Sequence, residues 1–268
     1  MIRLAVAGAA GKMGRTILSL AAQDSEFKIV AGFESSENPA VGMDLGQWLG
    51  RNAAGVKITH YPFAELKEAD VLIDFTHPSS TEAYLRAVLH HKVGYVLGTT
   101  GLDRKTLEAI KRVSGKVPVV QSPNMSIGVN LLFKLSEITA KALDESYDIE
   151  ITETHHRMKK DAPSGTAVKL LEILTAARRR DPEKDVVTGR SGEVGARPRG
   201  QIGAFAVRGG DVVGDHTVFF LGEGERVELT HRASSRDAFA RGALRAAKFV
   251  AKRKNGLYNM RQVLGIEA

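Results

Sequence analysis

Residues 2–7 contain Ile2, Leu4, Ala5, Val6 and Ala7 and stop at Gly8, after which the hydrophobic period changes. Over residues 12–23, Met13, Ile17, Leu20 and Ala21 recur at three- to four-residue spacing, which predicts a helix. The alternation then repeats. Residues 28–33 form a second strand candidate ending just before Glu34, and a polar stretch with the breaker Asn38-Pro39 runs on to about residue 54. A third apolar run covers 71–75, with a helical pattern at 79–91, and two more cover 94–97 and 116–120, with a helical pattern at 103–113 between them. Strands alternating with helices at this spacing predict a parallel sheet with crossover helices.

The pattern shifts after about residue 130. A helical stretch reaches 143, residues 147–154 alternate as a strand, and a second helix candidate covers 167–179. From 202 onward, Phe205, Val207, Val212, Val213, Val218, Phe219 and Leu221 lie in extended runs divided by Gly209-Gly210-Asp211 and Gly222-Glu223-Gly224. These turn signals predict a three-stranded meander over 202–232. Residues 189–203, rich in Gly and Arg, read as a mobile loop. An alanine-rich helix candidate covers 235–252 and suits packing on either half. The expected division is therefore a first domain of 1–127 completed by 236–268, and a smaller α+β domain of 128–235 with a mixed or antiparallel sheet.

Composition narrows the functional classes. A chain of 268 residues and 29.0 kDa suits one or two domains at roughly 100–200 residues each. With 43% hydrophobic and 26% charged residues it is neither disordered nor fibrous. No apolar stretch approaches the roughly 18–20 residues of a membrane span, and residues 1–7 are too short for a signal peptide. The absence of cysteine excludes disulfides, thiol nucleophiles and cysteine metal sites, and fits a reducing compartment. Lys plus Arg number 38 against 31 acidic residues, a net +7 that suits nucleic acid, an acidic membrane, small anions or simply a solvated surface. No basic stripe with interleaved aromatics is present, which disfavours nucleic acid.

Candidate chemistry gathers in two places. The first strand-to-helix junction reads Gly8-Ala9-Ala10-Gly11-Lys12-Met13-Gly14. Glycines there permit a tight turn, approach of backbone N–H groups to a pyrophosphate, and close helix packing. Glu34 follows the second strand, where a carboxylate accepts the adenosine ribose hydroxyls. A Rossmann-like dinucleotide-binding domain is the reading. Glu34 followed by uncharged Ser35 and Ser36 leans towards NADH, although Lys12 and Arg15 remain within reach of a 2′-phosphate. Gly98-Thr99-Thr100-Gly101 and Ser122-Pro123-Asn124-Met125-Ser126 end later strands and fall along the same ligand edge.

The second place is the segment from Glu153-Thr154-His155-His156 through Lys159, Lys160 and Asp161 to Pro163-Ser164-Gly165-Thr166. It runs from a strand end into a helix start, where Asp161 or Ser164 suits the cap and Pro163 the first turn. Helix N–H groups at Gly165 and Thr166 beside His and Lys suit an anionic substrate and proton delivery. Adjacent histidines on an extended segment point to opposite sides, so a metal is not expected.

The glycine junction, Gly98–Gly101, Ser122–Ser126, the His155-His156-x-x-Lys159 segment with Asp161–Thr166, and Arg208-Gly209-Gly210-Asp211-Val212-Val213-Gly214-Asp215-His216 together closely resemble the 4-hydroxy-tetrahydrodipicolinate reductase family, also called dihydrodipicolinate reductase. The resemblance spans the chain in order. It implies reduction of a cyclic imine dicarboxylate, 4-hydroxy-tetrahydrodipicolinate, to tetrahydrodipicolinate with NADH or NADPH, on the diaminopimelate route to lysine, by a cytoplasmic homotetramer joined through its second domain. Gly8, Ala9, Ala10, Gly11, Lys12, Met13, Glu34, Gly98, Thr99, Thr100, Ser122, Pro123, Asn124 and Met125 would hold the cofactor. His155 and Lys159 would donate protons, His156 would contact substrate, and Gly165 with Thr166 would bind a carboxylate. Domain closure, with 189–203 as a lid, would complete the site. Two alternatives are an amino-acid dehydrogenase sharing the first half and a non-catalytic dinucleotide-binding assembly protein.

Overall fold

The computed structural model describes residues 1–60 and 62–267, which divide into two compact units. The first comprises residues 1–127 together with the C-terminal segment from Asp237. It contains β1 (Ile2–Ala7), α1 (Lys12–Ala21), β2 (Phe27–Phe33), α2 (Leu45–Trp48), β3 (Ile58–Thr59), α3 (Pro62–Glu65), β4 (Val71–Asp74), α4 (Pro78–His91), β5 (Gly94–Leu97), α5 (Arg104–Ser114) and β6 (Pro118–Gln121). The second unit, Gly128–Arg236, takes α6 (Ile127–Ala142), β7 (Asp148–His155), α7 (Gly165–Arg178), β8 (Val186–Val187), β9 (Ile202–Arg208), β10 (Gly214–Leu221) and β11 (Arg226–Ala233). The chain then returns to the first unit with α8 (Asp237–Val250), β12 (Gly256–Tyr258) and α9 (Met260–Leu264).

The first unit is a seven-stranded parallel sheet in the order β12-β6-β5-β4-β1-β2-β3. Side chains alternate across a strand, so β1 sends Leu4 and Val6 to one face and Ala5 and Ala7 to the other. Leu4 and Val6 share a core with Ile17, Leu18, Ala243 and Ala247, from α1 and α8. Ala5 and Ala7 share the opposite core with Leu85 and Val88 of α4 and Ile110 of α5. Helices thus cover both faces, which is why the strands read as continuous apolar runs rather than alternating ones. Chain order reverses between β1 and β4, and in such sheets ligands lie at the carboxyl ends of the strands at this point.

The second unit has a mixed sheet in the order β11-β10-β7-β9-β8, with β7 parallel to β9 and antiparallel to β10. The expected meander over 202–232 is therefore only half realised. β10 and β11 form a hairpin, but β7 lies between β9 and β10. The Gly209-Gly210-Asp211 segment does not fold β9 back on itself. It crosses the end of β7, where Gly209 N–H donates to His155 O at 3.0 Å, Arg157 N–H to Gly210 O at 3.2 Å and His156 N–H to Val212 O at 2.8 Å.

One face of this sheet packs Ile149, Ile151, Val218 and Phe220 against Leu170 and Leu174 of α7 and Phe133 of α6. The other carries Glu150, Thr152, Phe205, Phe219 and Leu221 along an open groove. The 189–203 segment, expected to be mobile, is anchored on that groove side: Arg190 pairs with Glu150 at 2.9 Å and Arg197 with Glu150 at 2.7 Å and Asp148 at 2.5 Å.

Helix α8 belongs to the first unit because its small residues allow close approach. A Cβ added at Gly242 would sit 1.7 Å from Met125 O. That neighbour is backbone and cannot rotate away, so Gly242→Ala should destabilise the fold by about 1–3 kcal/mol, the usual cost of overpacking. Urea unfolding checks this; an unchanged midpoint would contradict the packing described.

Candidate active site

At the carboxyl edge of the first sheet, β1 runs into a loop that only glycine can build. Gly8 takes φ +71°, and a Cβ at Gly14 would lie 2.0 Å from Gly8 O, so α1 rests directly on the loop backbone. Its N-cap, Gly11, has no side chain to accept the first-turn N–H groups. Glu34, immediately after β2, turns its carboxylate onto the same loop. Its two oxygens accept Ala10 N–H at 2.9 Å and Ser35 N–H at 3.0 Å. A loop without side-chain bulk, an open helix N-terminus and an adjacent carboxylate fit a dinucleotide's pyrophosphate and ribose.

The strand ends beside it close the edge. Gly98 follows β5, where a Cβ would fall 2.5 Å from the Phe75 ring. Thr99 is buried, whereas Thr100 and Pro123 are exposed. Ser122 donates its hydroxyl to Asn124 O at 2.7 Å, and Ser126 N–H donates to Asn124 Oδ1 at 2.8 Å, which shapes the loop ending in buried Met125. Sequence reasoning missed Asp74, the last residue of β4. It is fully buried and accepts the Tyr95 hydroxyl at 2.5 Å, the Thr76 hydroxyl at 2.7 Å and the Thr99 hydroxyl at 3.1 Å. Burial raises its pKa although all three donors act against the rise. A carboxylate closing the apolar run Val71-Leu72-Ile73 was the available signal.

In the second unit, β7 ends at His155, and the two-residue period puts Glu153 on the same face. Glu153 is 1% exposed. Its Oε2 accepts from His155 Nδ1 at 2.6 Å and Arg208 Nη1 at 2.7 Å; its Oε1 accepts from Arg208 Nη2 at 2.8 Å and Ser164 N–H at 2.9 Å. Arg208 stands at the end of β9, in register with His155, and also donates to Asp161 O at 2.7 Å. Ser164 caps α7 by accepting Ala167 N–H at 3.2 Å. Pro163 therefore precedes the cap instead of occupying the first turn, and exposed Gly165 opens the helix.

The network continues through His216 of β10, whose Nε2 lies 2.9 Å from Ser164 Oγ and whose ring meets His155 edge-on at 5.1 Å. Lys159 Nζ is held by both oxygens of Asp161 at 2.9 Å, in a turn where Lys159 N–H donates to His156 O at 3.1 Å. The structure thus brings His155, His156, Lys159 and the α7 start to one end of the sheet. Gly214, named in the sequence only as part of the Arg208–His216 motif, leaves room for this ring: a Cβ there would press on His155 Nε2 at 2.9 Å.

Electrostatics follow from burial and neighbours. Burial opposes charge on Glu153, but Arg208, His155 and the Ser164 N–H outweigh it and hold the carboxyl below its ordinary range. Burial pulls His155 down, Glu153 resists, and Lys159 and Arg208 add to the fall. His216 is pushed down to about 3 by burial and by His155.

Comparison with known proteins decides the family. Family models described as dihydrodipicolinate reductase, N-terminus and C-terminus, match residues 2–125 and 128–264. The chain belongs to the dihydrodipicolinate reductase family. It is an NAD(P)H-dependent oxidoreductase of the diaminopimelate route to lysine, as the resemblance implied. A 4-hydroxy-tetrahydrodipicolinate reductase of Thiobacillus denitrificans is 50% identical over 99% of both chains, and one of Chromohalobacter salexigens is 48% identical over all of both. A solved dihydrodipicolinate reductase from Paenisporosarcina sp. TG-14, with dipicolinate bound, superposes with a TM-score of 0.75 at 26% identity, covering 97% of each chain. Among the described residues, no helix of the reductase is long and apolar enough to cross a membrane.

The depressed His216 has a consequence for stability. An unfolded chain takes up the His216 proton below about 6.5, the folded protein only near 3. Between these values the unfolded state binds the extra proton. The group's contribution therefore falls as pH is lowered, with a slope of up to about 1.4 kcal/mol per pH unit. His216→Gln should flatten this part of the stability profile measured by urea unfolding; an unchanged slope would refute the assignment.

Proposed function

We propose that the reductase holds NAD(P)H at the carboxyl edge of the first unit through Gly8, Ala9, Ala10, Gly11, Lys12, Met13, Glu34, Gly98, Thr99, Thr100, Ser122, Pro123, Asn124 and Met125. A substrate carboxylate is taken by Gly165 and Thr166 at the start of α7, with His156 as a further contact, and His155 and Lys159 serve as proton donors. One observation carries this reading. A hydrogen-bonded chain links His155 through Glu153 to the capping residue of α7, and another links Lys159 through Asp161 to Arg208. An anion site and two proton carriers are thus built as one unit. Dipicolinate, bound in the Paenisporosarcina protein, is a ring dicarboxylate of the kind this site suits.

When bound, the nicotinamide supplies hydride to one carbon of the substrate's double-bond system. The remaining work belongs to the chain. Lys159 presents its ammonium, steadied by Asp161, and His155 presents its ring, steadied by Glu153. Either delivers the proton required at the partner atom. Helix N–H groups and nearby cations hold the two carboxylates and orient the ring.

The finer cofactor reading is NADH in preference to NADPH. Glu34 lies against the loop where a 2′-phosphate would add negative charge, Ser35 and Ser36 carry none of the opposite sign, and Arg15 is placed over the Trp48 ring at 5.8 Å. The apolar groove on the open face of the second sheet suits assembly into a homotetramer, and the cysteine-free chain suits the cytoplasm.

NADH oxidation with freshly made synthase product is the direct assay. Lys159→Ala should lower kcat by about 100-fold, the scale of a lost general acid, with NADH affinity unchanged. Unaltered turnover would remove Lys159 from the chemistry, and NADH binding without any turnover would favour an assembly role. In the same assay, kcat/KM with NADH should exceed that with NADPH, and the reverse order would overturn the reading of Glu34.

A further inference from the structure

We propose that Glu153 and Arg208 act as positioning residues that lock His155 in the tautomer carrying its proton on Nδ1, so that Nε2 is the atom that gives up and regains the catalytic proton. This rests on the reading of His155 as a proton donor and adds to it which nitrogen works and what selects it.

The argument begins with hydrogen-bond capacity. An ionised carboxylate only accepts, through about four lone-pair positions. Glu153 meets four donor positions: two guanidinium nitrogens of Arg208, the Ser164 N–H and His155 Nδ1. Arg208 is always protonated, so its fork at 2.7 and 2.8 Å keeps the carboxylate ionised despite burial. An acceptor-only group 2.6 Å from Nδ1 requires the hydrogen to be on that nitrogen. The neutral ring then has its lone pair on Nε2, and the imidazolium gives up its second proton from there.

The surroundings of Nε2 agree. Gly214 carries no Cβ beside it, where one would come within 2.9 Å. Every charged or titratable group facing the ring has a place in this account. Glu153 on β7 stabilises the imidazolium, whereas Arg208 on β9 and Lys159 in the following turn oppose it. His216 on β10 meets the ring edge-on at 5.1 Å. Asp161 engages the Lys159 ammonium, and His231 of β11 acts on His216. Among the described residues, Glu153 alone contacts the His155 ring as a counter-charge.

A purely structural ion pair does not account for the arrangement. Buried pairs are weak sources of stability, because desolvation offsets their attraction. Arg208 and the Ser164 N–H already satisfy one oxygen of Glu153, and the other is shared between Arg208 and the ring. The same carboxylate receives the N–H of the residue that caps α7. One rigid group therefore sets the ring and the substrate-carboxylate site in a fixed relation, which acid–base catalysis needs.

The test compares wild type with Glu153→Gln and with the double variant Glu153→Gln/Arg208→Gln, which leaves no unpaired guanidinium beside the amide. A carboxamide can accept from or donate to the ring, so it no longer selects a tautomer. Histidine ring 15N shifts on the folded protein report the tautomer of His155, and kcat and KM are followed against pH. Wild type should show hydrogen on Nδ1 in the neutral ring, and both variants a mixture. In the variants kcat should fall at least about tenfold, with KM changed by much less. The alkaline limb of kcat should move to lower pH by about one unit or more, because the imidazolium loses its counter-charge. A neutral wild-type ring with hydrogen on Nε2 would overturn the proposal, as would variants whose kcat and pH limb match wild type. If wild type itself gives no turnover, the reading of His155 as proton donor fails, and the 15N tautomer still decides whether Glu153 sets the ring.

Discussion

Four donors from three stretches of the second unit meet the carboxylate of Glu153: the His155 ring of the same strand, two nitrogens of Arg208 on β9, and the N–H that precedes α7. A charge so deeply buried is tolerable only when its acceptor positions are filled, and that requirement dictates much of the local architecture. β9 must lie beside β7 for Arg208 to arrive in register with His155. The segment before α7 must bend back to present Ser164, and β10 must bring His216 to its hydroxyl. The sheet order, with β7 enclosed between β9 and β10, is the arrangement that satisfies all of these together.

The first unit depends on a different constraint, the contact between α1 and the loop that precedes it. Gly14 lies against Gly8 with no room for a methyl group, and this closeness leaves the first-turn N–H groups bare at the edge of the sheet. Asp74 supports the neighbouring strand ends by gathering the hydroxyls of Thr76, Thr99 and Tyr95 into one buried cluster. Its position beneath Thr99 makes the Gly98-Thr99-Thr100 turn part of a rigid edge. Loops on such edges carry ligands well because the scaffold under them does not move.

Much of this was legible in the linear chain. The period-two and period-3.6 patterns located every long strand and helix of the first unit to within a few residues, because strands covered on both faces and amphipathic helices leave strong signals. The glycine loop, Glu34 and the His155–Thr166 segment were legible because each is local: its residues lie within one turn or one strand end. The meander over 202–232 was misread for the opposite reason. Turn residues show where a strand stops, but which strand it then pairs with depends on contacts with β7, some 50 residues earlier in the chain. The two short terminal elements β12 and α9 escaped notice because three to five residues carry too little periodicity.

Asp74, Arg208, Gly214 and His216 mark the same boundary within the site. Arg208, Gly214 and His216 were visible as parts of a family-like motif, yet nothing in their spacing assigned them a role. Local chemistry by itself determined the fold class and the family, and it marked the glycine loop and the His155–Thr166 segment as candidate sites, since each is encoded over a few adjacent positions. Only the tertiary structure decided which groups surround Glu153, which nitrogen of His155 faces Gly214, and that the 189–203 segment rests against Glu150 and Asp148. Those outcomes depend on packing distances of a few ångströms between residues far apart in the chain, and burial together with neighbouring charges turns such distances into pKa shifts and anchored loops.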